Sequence, residues 1–251
     1  TWHCKRCDKS GNAKTLITLI HQQAFALTTG LHHQFLSEIR GISPKVFHRA
    51  KWAYDERNSR WLVPYFTYNP DKKQYSQFLN NLGYFYPESP NEDTRYKIKK
   101  AGALPLYLYN PGIHSDSEPP TTLYLCEGEW DTLAYLDADP DSKAMILGKP
   151  GSGFNQSYLQ TLKHIKTVIT LLDNDPAGRK QTNQAIEVLR TQIKDIRSLD
   201  WQLMESPVKD IRDLWTDISG FQKNEANLRT ERSKFRSIIV QHVTVPEAVP
   251  E

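Results

Sequence analysis

The pattern of hydrophobic and polar positions is most regular in the second half of the chain, where short apolar runs alternate with amphipathic segments. The apolar runs predict strands at TTLYLC (121–126), KAMIL (143–147), VITLL (168–172) and SLDWQLM (198–204). Each run is followed by a segment with helical periodicity, in turn EWDTLAYLDA, NQSYLQTLKHI, AGRKQTNQAIEVLRTQI and DIRDLWTDI. Strands and helices in this order predict an α/β fold with a parallel sheet covered by helices on both faces.

The first half of the chain has a different pattern. Residues 14–37 have helical periodicity, and Ser43 followed by Pro44 predicts a second helix start, because serine caps helices and proline fits their first turn. The apolar face of the first helix is expected to comprise Leu16, Leu19, Ile20, Ala24 and Leu27. From 51 to 110, aromatic and β-branched runs broken by Asn, Asp, Pro and Gly predict irregular β structure.

Composition and charge narrow the choice of protein class. The 251 residues suffice for one large domain or two ordinary ones. Lys and Arg number 32 against 29 Asp and Glu, a net charge of +3, so charge alone does not indicate a nucleic-acid partner. No apolar run approaches the roughly 20 residues that span a bilayer, so we expect a cytoplasmic protein with no membrane partner.

A cysteine pair lies near the N-terminus. Cys4 and Cys7 form a CxxC motif in a segment typical of one half of a zinc ribbon, whereas a structural zinc site needs four ligands. We therefore expect that the chain is part of a longer protein that supplies the other two ligands. The predicted domains are a partial zinc ribbon (1–13), a helical connector (14–50), a β-rich subdomain (51–118), the α/β unit (119–218) and a tail or linker (219–251).

Acidic residues follow two of the predicted strands. Asp173 and Asp175 are two positions apart after VITLL and therefore project to the same side, at the sheet edge where α/β proteins bind ligands. Glu127 follows TTLYLC, with Asp131 one turn further on, and it would face the pair if the two strands are neighbours. Such hard oxygen ligands suit Mg²⁺, or Mn²⁺. The alternative is that Asp175 only caps the helix beginning near Ala177.

This order of motifs resembles the TOPRIM domain of DnaG-type primases, phage primase–helicases, topoisomerases and OLD-family nucleases. The resemblance covers about residues 119–218. The matching residues are Glu127, Gly128 and Asp131 in LCEGEWDTLA, Gly148 in MILGKPGSG, and Asp173, Asp175 and Gly178 in LLDNDPAGRK. The resemblance implies that Glu127 is the general acid/base and that Asp173 and Asp175 hold Mg²⁺. It also suggests Asp210, in VKDIRDLW, as a further ligand, with a helix N-cap as the alternative.

Segments before this unit resemble a primase more than the other TOPRIM proteins. WHCKRCDKSGNAKTLI resembles the second half of a primase zinc ribbon, which implies that Cys4 and Cys7 bind Zn²⁺ in the full-length protein. IRGISPKVFHRAKWAYD and RWLVPYF resemble the first part of the polymerase core. The following basic segment, RYKIKKAG, would place Arg95, Lys97 and Lys99 on one face, where they could bind template or triphosphate phosphates. The alternative is an edge strand protected by lysines.

Three further basic residues are candidates for phosphate contacts: Lys149, Arg179 and Lys180. Their alternative role is that of solvated turn residues. The resulting prediction is a DNA primase, a DNA-directed RNA polymerase that copies single-stranded DNA into short RNA primers from NTPs with Mg²⁺. A phage or plasmid enzyme with a fused or separate replicative helicase is favoured. The alternatives are a TOPRIM nuclease and a non-catalytic DNA-binding accessory protein. The expected fold is a Rossmann-like TOPRIM domain preceded by a β-rich primase subdomain and a partial zinc ribbon.

Overall fold

A computed structural model describes the elements of the chain. It covers residues 2–3, 10–69, 71, 74–87, 99–100, 107–108, 120–149, 154, 156–204, 208–220 and 224–246. The α-helices in these ranges are α1 (Ala13–Leu27), α2 (Gly30–Arg40), α3 (Pro44–Arg49), α4 (Glu129–Ala138), α5 (Pro176–Arg190), α6 (Ile211–Ser219) and α7 (Leu228–His242). The strands are β1 (Trp2–His3), β2 (Ser10–Gly11), β3 (Ala53–Asp55), β4 (Arg60–Asn69), β5 (Gln74–Phe85), β6 (Lys99–Lys100), β7 (Tyr107–Leu108), β8 (Thr122–Cys126), β9 (Met145–Gly148), β10 (Thr167–Leu171), β11 (Asp195–Leu199) and β12 (Val243–Thr244). Short 3-10 helices occupy Glu56–Asn58, Gln156–Leu162 and Trp201–Leu203.

The main sheet has the strand order β12-β11-β10-β8-β9-β7. Its four central strands are parallel, and the two edge strands, β12 and β7, run antiparallel to them. Strands β8 and β10 are direct neighbours, with Cys126 opposite Leu171. The prediction of a parallel sheet is confirmed, and the carboxyl ends of β8 and β10 lie side by side.

Both faces of the main sheet are buried, which explains why its strands are nearly continuous apolar runs. Alternate residues of β8 point to opposite faces: Leu123 and Leu125 join the core under α5, whereas Cys126 joins the core under α4 and α6. The second core also contains Trp215 and Phe235. The main unit is therefore a three-layer arrangement of helices, sheet and helices.

The preceding β-rich unit is an antiparallel sheet with the order β3-β4-β5-β6. Its contacts with the main unit are specific: the Tyr65 hydroxyl on β4 donates to the buried carboxylate of Glu129, and the Arg40 guanidinium lies 4.0 Å from the Trp130 ring centroid. The predicted β structure and the helix starting at Pro44 are confirmed, and Ser43 occupies the N-cap position, although its side chain makes no capping hydrogen bond. The boundary at 118 is crossed, because β7 pairs with β9 in the main sheet.

The predicted helix at 14–37 is two helices, and its predicted buried face was wrong. Leu27 is 74% exposed, whereas Thr18 and His21 on the opposite face are buried. These two polar side chains bond to neighbouring backbone: Leu79 N donates to Thr18 Oγ1 at 2.8 Å, and His21 Nε2 donates to the Lys51 carbonyl at 2.7 Å. Specific hydrogen bonds thus outweigh the apolar periodicity.

Two predicted elements of the main unit differ in type or position. NQSYLQTLKHI forms a 3-10 helix at Gln156–Leu162 instead of an α-helix. The last parallel strand is Asp195–Leu199, earlier than the predicted 198–204, and most of the predicted strand forms the 3-10 helix Trp201–Leu203. Trp201 lies beyond the end of this strand, and its indole Nε1 donates to the Leu172 carbonyl at 2.8 Å.

The predicted tail at 219–251 contains a packed helix, so its interpretation as a linker was wrong over α7. Phe235 is fully buried, with its ring centroid 5.8 Å from that of Trp215 and 5.5 Å from that of Tyr135. Ile239, one turn further on, is also buried. The apolar pair was hidden among charged residues, and β12 then pairs with β11. Among the described helices, none combines the length and apolar character needed to cross a bilayer.

Candidate metal centre

Three carboxylates converge beyond the carboxyl ends of the parallel strands. Asp173 follows β10, Asp131 lies in the first turn of α4, and Asp210 is the N-cap of α6. One oxygen from each lies within 4.8 Å of the other two. Asp131 is buried and the other two are half-buried. The three elements therefore deliver three hard oxygen ligands to one point.

The electrostatics of this cluster are unfavourable without a cation. Burial raises the pKa of Asp173 to about 7, and the charges of Glu127 and Asp210 add to the rise. Burial also raises the pKa of Asp131 well above its usual range, with Asp210 and Asp173 contributing. The positive charge of Arg212 offsets this repulsion only in part. Its guanidinium lies 3.8 Å from Asp210 Oδ2 but 2.9 Å from Asp213 Oδ1, a carboxylate outside the cluster. An all-oxygen set with excess negative charge fits a bound Mg²⁺ or Mn²⁺.

Glu127 lies beside this cluster because β8 and β10 are paired. Its Oε2 accepts a hydrogen bond from the Asp173 backbone N at 3.2 Å, and its Oε1 accepts one from Gln181 Nε2 at 3.2 Å. Both carboxylate oxygens are thus oriented by donors from the chain. Glu127 is adjacent to the three-carboxylate cluster rather than a member of it.

Asp175 and Asp210 both act as helix caps. Asp175 Oδ1 accepts from Gly178 N at 2.7 Å, and Asp210 Oδ1 accepts from Asp213 N at 2.7 Å. Both side chains thus make the predicted cap hydrogen bonds, which do not by themselves exclude metal binding. Asp210 combines the cap with membership of the carboxylate cluster, whereas Asp175 does not belong to that cluster and its role as a metal ligand stays a prediction.

Two close backbone approaches hold the loops of the site. A Cβ at Gly178 would lie 2.1 Å from the Asp173 carbonyl oxygen, so only glycine lets α5 press against the loop that carries Asp173. A Cβ at Gly148 would lie 2.6 Å from the Gly128 carbonyl oxygen, which places β9 against the loop after β8. The loop carrying Asp173 is also bonded to the segment carrying Asp210, because the Asn174 backbone N donates to the Lys209 carbonyl at 2.7 Å.

The predicted phosphate-binding residues differ in their surroundings. Arg179 and Lys180 are exposed near the start of α5, the helix that follows the loop carrying Asp173. Lys149 is only 1% exposed, and its ammonium donates to Gln181 Oε1. The Lys149 side chain is therefore buried behind the site and does not lie on its solvent-exposed surface.

The other predicted binding residues lie at the margins of what the structure describes. Lys99 is in β6, where it pairs with Tyr84 of β5. Arg95 and Lys97 of the same basic segment, and the predicted zinc ligands Cys4 and Cys7, lie outside the described residues.

Sequence reasoning missed two participants. Asp131 was part of the recognised motif but was not assigned as a ligand, although its position four residues after Glu127 places it one helical turn further along the same entry into α4. Gln181 gave no signal, because its role depends on a partner 54 residues away in the chain.

Comparisons with known proteins agree with this architecture. A model of the Toprim-like family matches residues 124–214. No curated protein matches the sequence of the chain.

Several solved primase structures have a similar fold. The zinc-binding and RNA polymerase domains of the Aquifex aeolicus primase align with a TM-score of 0.60 and 16% identity, over 94% of this chain and 64% of that one, so this chain spans less than two thirds of it. The E. coli primase catalytic core aligns with a TM-score of 0.57 and 16% identity, over 91% and 83% of the two chains. The RNA polymerase domain of Mycobacterium tuberculosis primase DnaG, in complex with double-stranded DNA, aligns with a TM-score of 0.54 and 14% identity, over 92% and 80%.

These likenesses concern the whole described fold, including the β-rich unit that precedes the parallel sheet. The family match begins within β8, includes β10, and ends within α6, after the third carboxylate. Residues 124–214 therefore match the Toprim-like family, and the chain as a whole has a fold similar to that of primase catalytic cores.

Proposed function

We propose that the chain is the catalytic core of a DNA primase, which makes short RNA primers on single-stranded DNA from NTPs. The observation that carries the proposal is the cluster of Asp131, Asp173 and Asp210, with Glu127 beside it, at the carboxyl edge of a Toprim-like sheet. A fold shared with primase cores supports this choice over other Toprim-like proteins. The likeness to a domain solved with DNA supports a nucleic-acid partner.

The chemistry would be nucleotidyl transfer. The 3′ oxygen of the growing primer attacks the α-phosphorus of the incoming NTP, its proton passes to a base, and pyrophosphate leaves. Asp131, Asp173 and Asp210 would hold Mg²⁺, or Mn²⁺, which when bound neutralises charge on the triphosphate and the leaving pyrophosphate. Glu127 would orient the 3′ hydroxyl and accept its proton, because its oxygens are already fixed next to the cluster.

The basic residues would bind phosphates around this centre. Arg179 and Lys180 are exposed within the first turns of the helix that follows the Asp173 loop, where they would contact triphosphate or template. The basic segment containing Arg95, Lys97 and Lys99 would guide the template. Cys4 and Cys7 would supply two of the four ligands of a zinc ribbon that selects the template.

The wider assignments extend the same proposal. We place the polymerising unit in the β-rich subdomain and the Toprim-like domain, which pack on each other through Tyr65 and Glu129. A phage or plasmid origin, a cytoplasmic location and a replicative helicase partner, fused or separate, complete the proposed setting.

Primer synthesis tests the proposal directly. The chain is incubated with single-stranded DNA, labelled ribonucleotides and Mg²⁺, next to Asp173→Asn and to Asp217→Asn, which removes an exposed acid on α6. Short RNA products from the native chain and Asp217→Asn, lost in Asp173→Asn, are expected. Mg²⁺-dependent degradation of the DNA without primers would replace the primase by a nuclease. DNA binding with neither reaction, and with no effect of Asp173→Asn, would favour an accessory protein.

A further inference from the structure

A chain of hydrogen bonds runs behind the carboxylate centre and ends on Glu127. The buried ammonium of Lys149 donates to Gln181 Oε1, Gln181 Nε2 donates to Glu127 Oε1 at 3.2 Å, and the Asp173 backbone N donates to Glu127 Oε2 at 3.2 Å. Residues from the loop after β9, from α5 and from the loop after β8 thus meet in one line. No sequence pattern indicated that Lys149 or Gln181 acts on Glu127, the proposed proton acceptor.

The orientation of the Gln181 amide follows from the chemistry of its neighbours. A lysine ammonium can only donate hydrogen bonds, and an ionised carboxylate can only accept them. The amide oxygen must therefore face Lys149 and the amide nitrogen must face Glu127. The reversed amide would lose both bonds, so Lys149 fixes which end of Gln181 reaches the carboxylate.

The backbone makes the position of Lys149 rigid. Its N–H donates to the Cys126 carbonyl at 3.0 Å, at the end of the strand that leads into Glu127. The preceding residue, Gly148, lies against the Gly128 carbonyl, where a side chain has no room. The ammonium is 1% exposed, so removal from water restricts it to partners inside the protein.

We propose that Lys149 and Gln181 are positioning residues for Glu127: Lys149 locks the Gln181 amide, and the amide holds the Glu127 carboxylate in the geometry needed at the primer hydroxyl. This inference rests on the proposed primase function for its catalytic consequence. It changes the role of Lys149 from a phosphate contact to an internal anchor, because a buried ammonium bonded to Gln181 does not face solvent where a substrate would enter.

The test uses an isosteric change at the centre of the line. Gln181→Met keeps length and removes both hydrogen bonds, and Gln184→Met makes the same change at an exposed position of the same helix. We expect Gln181→Met to lower kcat in primer synthesis by about 10- to 100-fold, the usual range for residues that orient groups at a metal site, with KM for NTP within about two-fold. A kcat equal to that of Gln184→Met, or a loss expressed only in KM, would overturn the proposal.

A rescue variant separates positioning from packing. The double variant Lys149→Met with Gln181→Lys restores one buried ammonium and one donor to Glu127, whereas Lys149→Met alone leaves the amide free to turn. We expect the double variant to recover at least about ten-fold of the kcat lost in Gln181→Met. Melting temperature is measured for each protein, and a kcat loss that follows the loss of folded protein counts against the proposal.

A spectroscopic arm does not require activity. In the native chain with ¹⁵N-labelled glutamine, the side-chain amide resonance of Gln181 is the one absent from Gln181→Met. It should move on Glu127→Gln and on Lys149→Met and stay in place on Gln184→Met. If the Gln181 amide resonance does not move on either Glu127→Gln or Lys149→Met, the proposed hydrogen bonds from Lys149 through Gln181 to Glu127 are refuted. A native chain without primer synthesis, in which the amide still responds, overturns the primase function and with it only the catalytic consequence of the line.

Discussion

Replacing Asp173 by Asn should stabilise the protein when no metal is present. The pKa of Asp173 rises from 3.8 to about 7, because burial and nearby carboxylates disfavour its charge. Each pKa unit corresponds to about 1.4 kcal/mol, which gives an upper bound of about 4 kcal/mol for the cost of keeping it ionised. The side chain is half-buried, so solvent screening reduces the cost, and we expect about 2 kcal/mol.

The pH dependence has a definite sign. A carboxyl whose pKa is raised on folding binds its proton more tightly in the folded state, so it lowers stability progressively as pH rises from about 4 to about 7. At pH 8 without metal, Asp173→Asn should therefore melt about 4–8 °C above the native chain. At pH 4, where the folded Asp173 carboxyl is neutral, most of this difference should be lost.

Metal reverses the ranking. At a concentration of one hundred times Kd, Mg²⁺ should raise the free energy of unfolding of the native chain by about 2.7 kcal/mol through mass action, and its melting temperature should rise accordingly. The melting temperature of Asp173→Asn should be nearly unchanged by Mg²⁺. Thermal unfolding is measured in EDTA and in Mg²⁺ at both pH values, with Asp217→Asn as the control for loss of one exposed acid. If Asp173→Asn is destabilised in EDTA at pH 8, or responds to Mg²⁺ like the native chain, the reasoning on charge repulsion is refuted.

Three other substitutions test separate parts of the structure. Gly178→Ala should abolish primer synthesis and lower stability by at least about 1–3 kcal/mol, because its Cβ would overlap the Asp173 carbonyl oxygen, whereas Gly30→Ala has no atom within 4 Å and should be silent in activity and melting assays. His21→Gln should reduce the loss of stability below pH 6.5. Burial lowers the pKa of His21 to about 4, so the native chain should lose up to roughly 3 kcal/mol of unfolding free energy as pH falls from 6.5 to about 4. Urea titrations at several pH values measure this loss. Asp210→Ser keeps an N-cap oxygen and relieves the repulsion among the three carboxylates, so the melting temperature in EDTA should not fall, while the Mg²⁺ shift should collapse.

Each of these has an outcome that would contradict it. Equal behaviour of Gly178→Ala and Gly30→Ala would mean that the loop carrying Asp173 yields to a side chain. A pH profile of His21→Gln parallel to that of the native chain would assign the acid sensitivity to other groups. A full Mg²⁺ shift in Asp210→Ser would remove Asp210 from the metal centre.

The parallel half of the fold was predictable because its signals are local. Apolar runs such as VITLL are strands in a sheet buried on both faces, and the acids after them follow from strand geometry alone. The pairing of β8 with β10 then brings Glu127 next to Asp173, as the order of the motifs indicated. The α/β unit and the neighbouring pair of Glu127 and Asp173 could thus be obtained from spacing, whereas Asp210 was indicated only by the family resemblance.

The features that sequence reasoning missed depend on contacts between distant segments. His21 is buried and bonded to the Lys51 carbonyl. Helical periodicity gives no indication of this contact, because Lys51 lies outside the helix. The packing of α7 depends on Phe235 meeting rings from two other helices. Gln181 matters only because Glu127 lies across the sheet edge from it.

The C-terminal helix has a practical consequence for how the Toprim-like domain can be isolated. A fragment cut at 214, where the family match ends, would lose the second half of α6 with Trp215, as well as α7 and β12. It would leave the Tyr135 ring without its contact to Phe235. It would also open the edge of β11, whose unpaired backbone groups favour aggregation. The smallest soluble piece should therefore extend to about residue 246, where the Pro246 carbonyl accepts from the guanidinium of Arg190 at 3.4 Å.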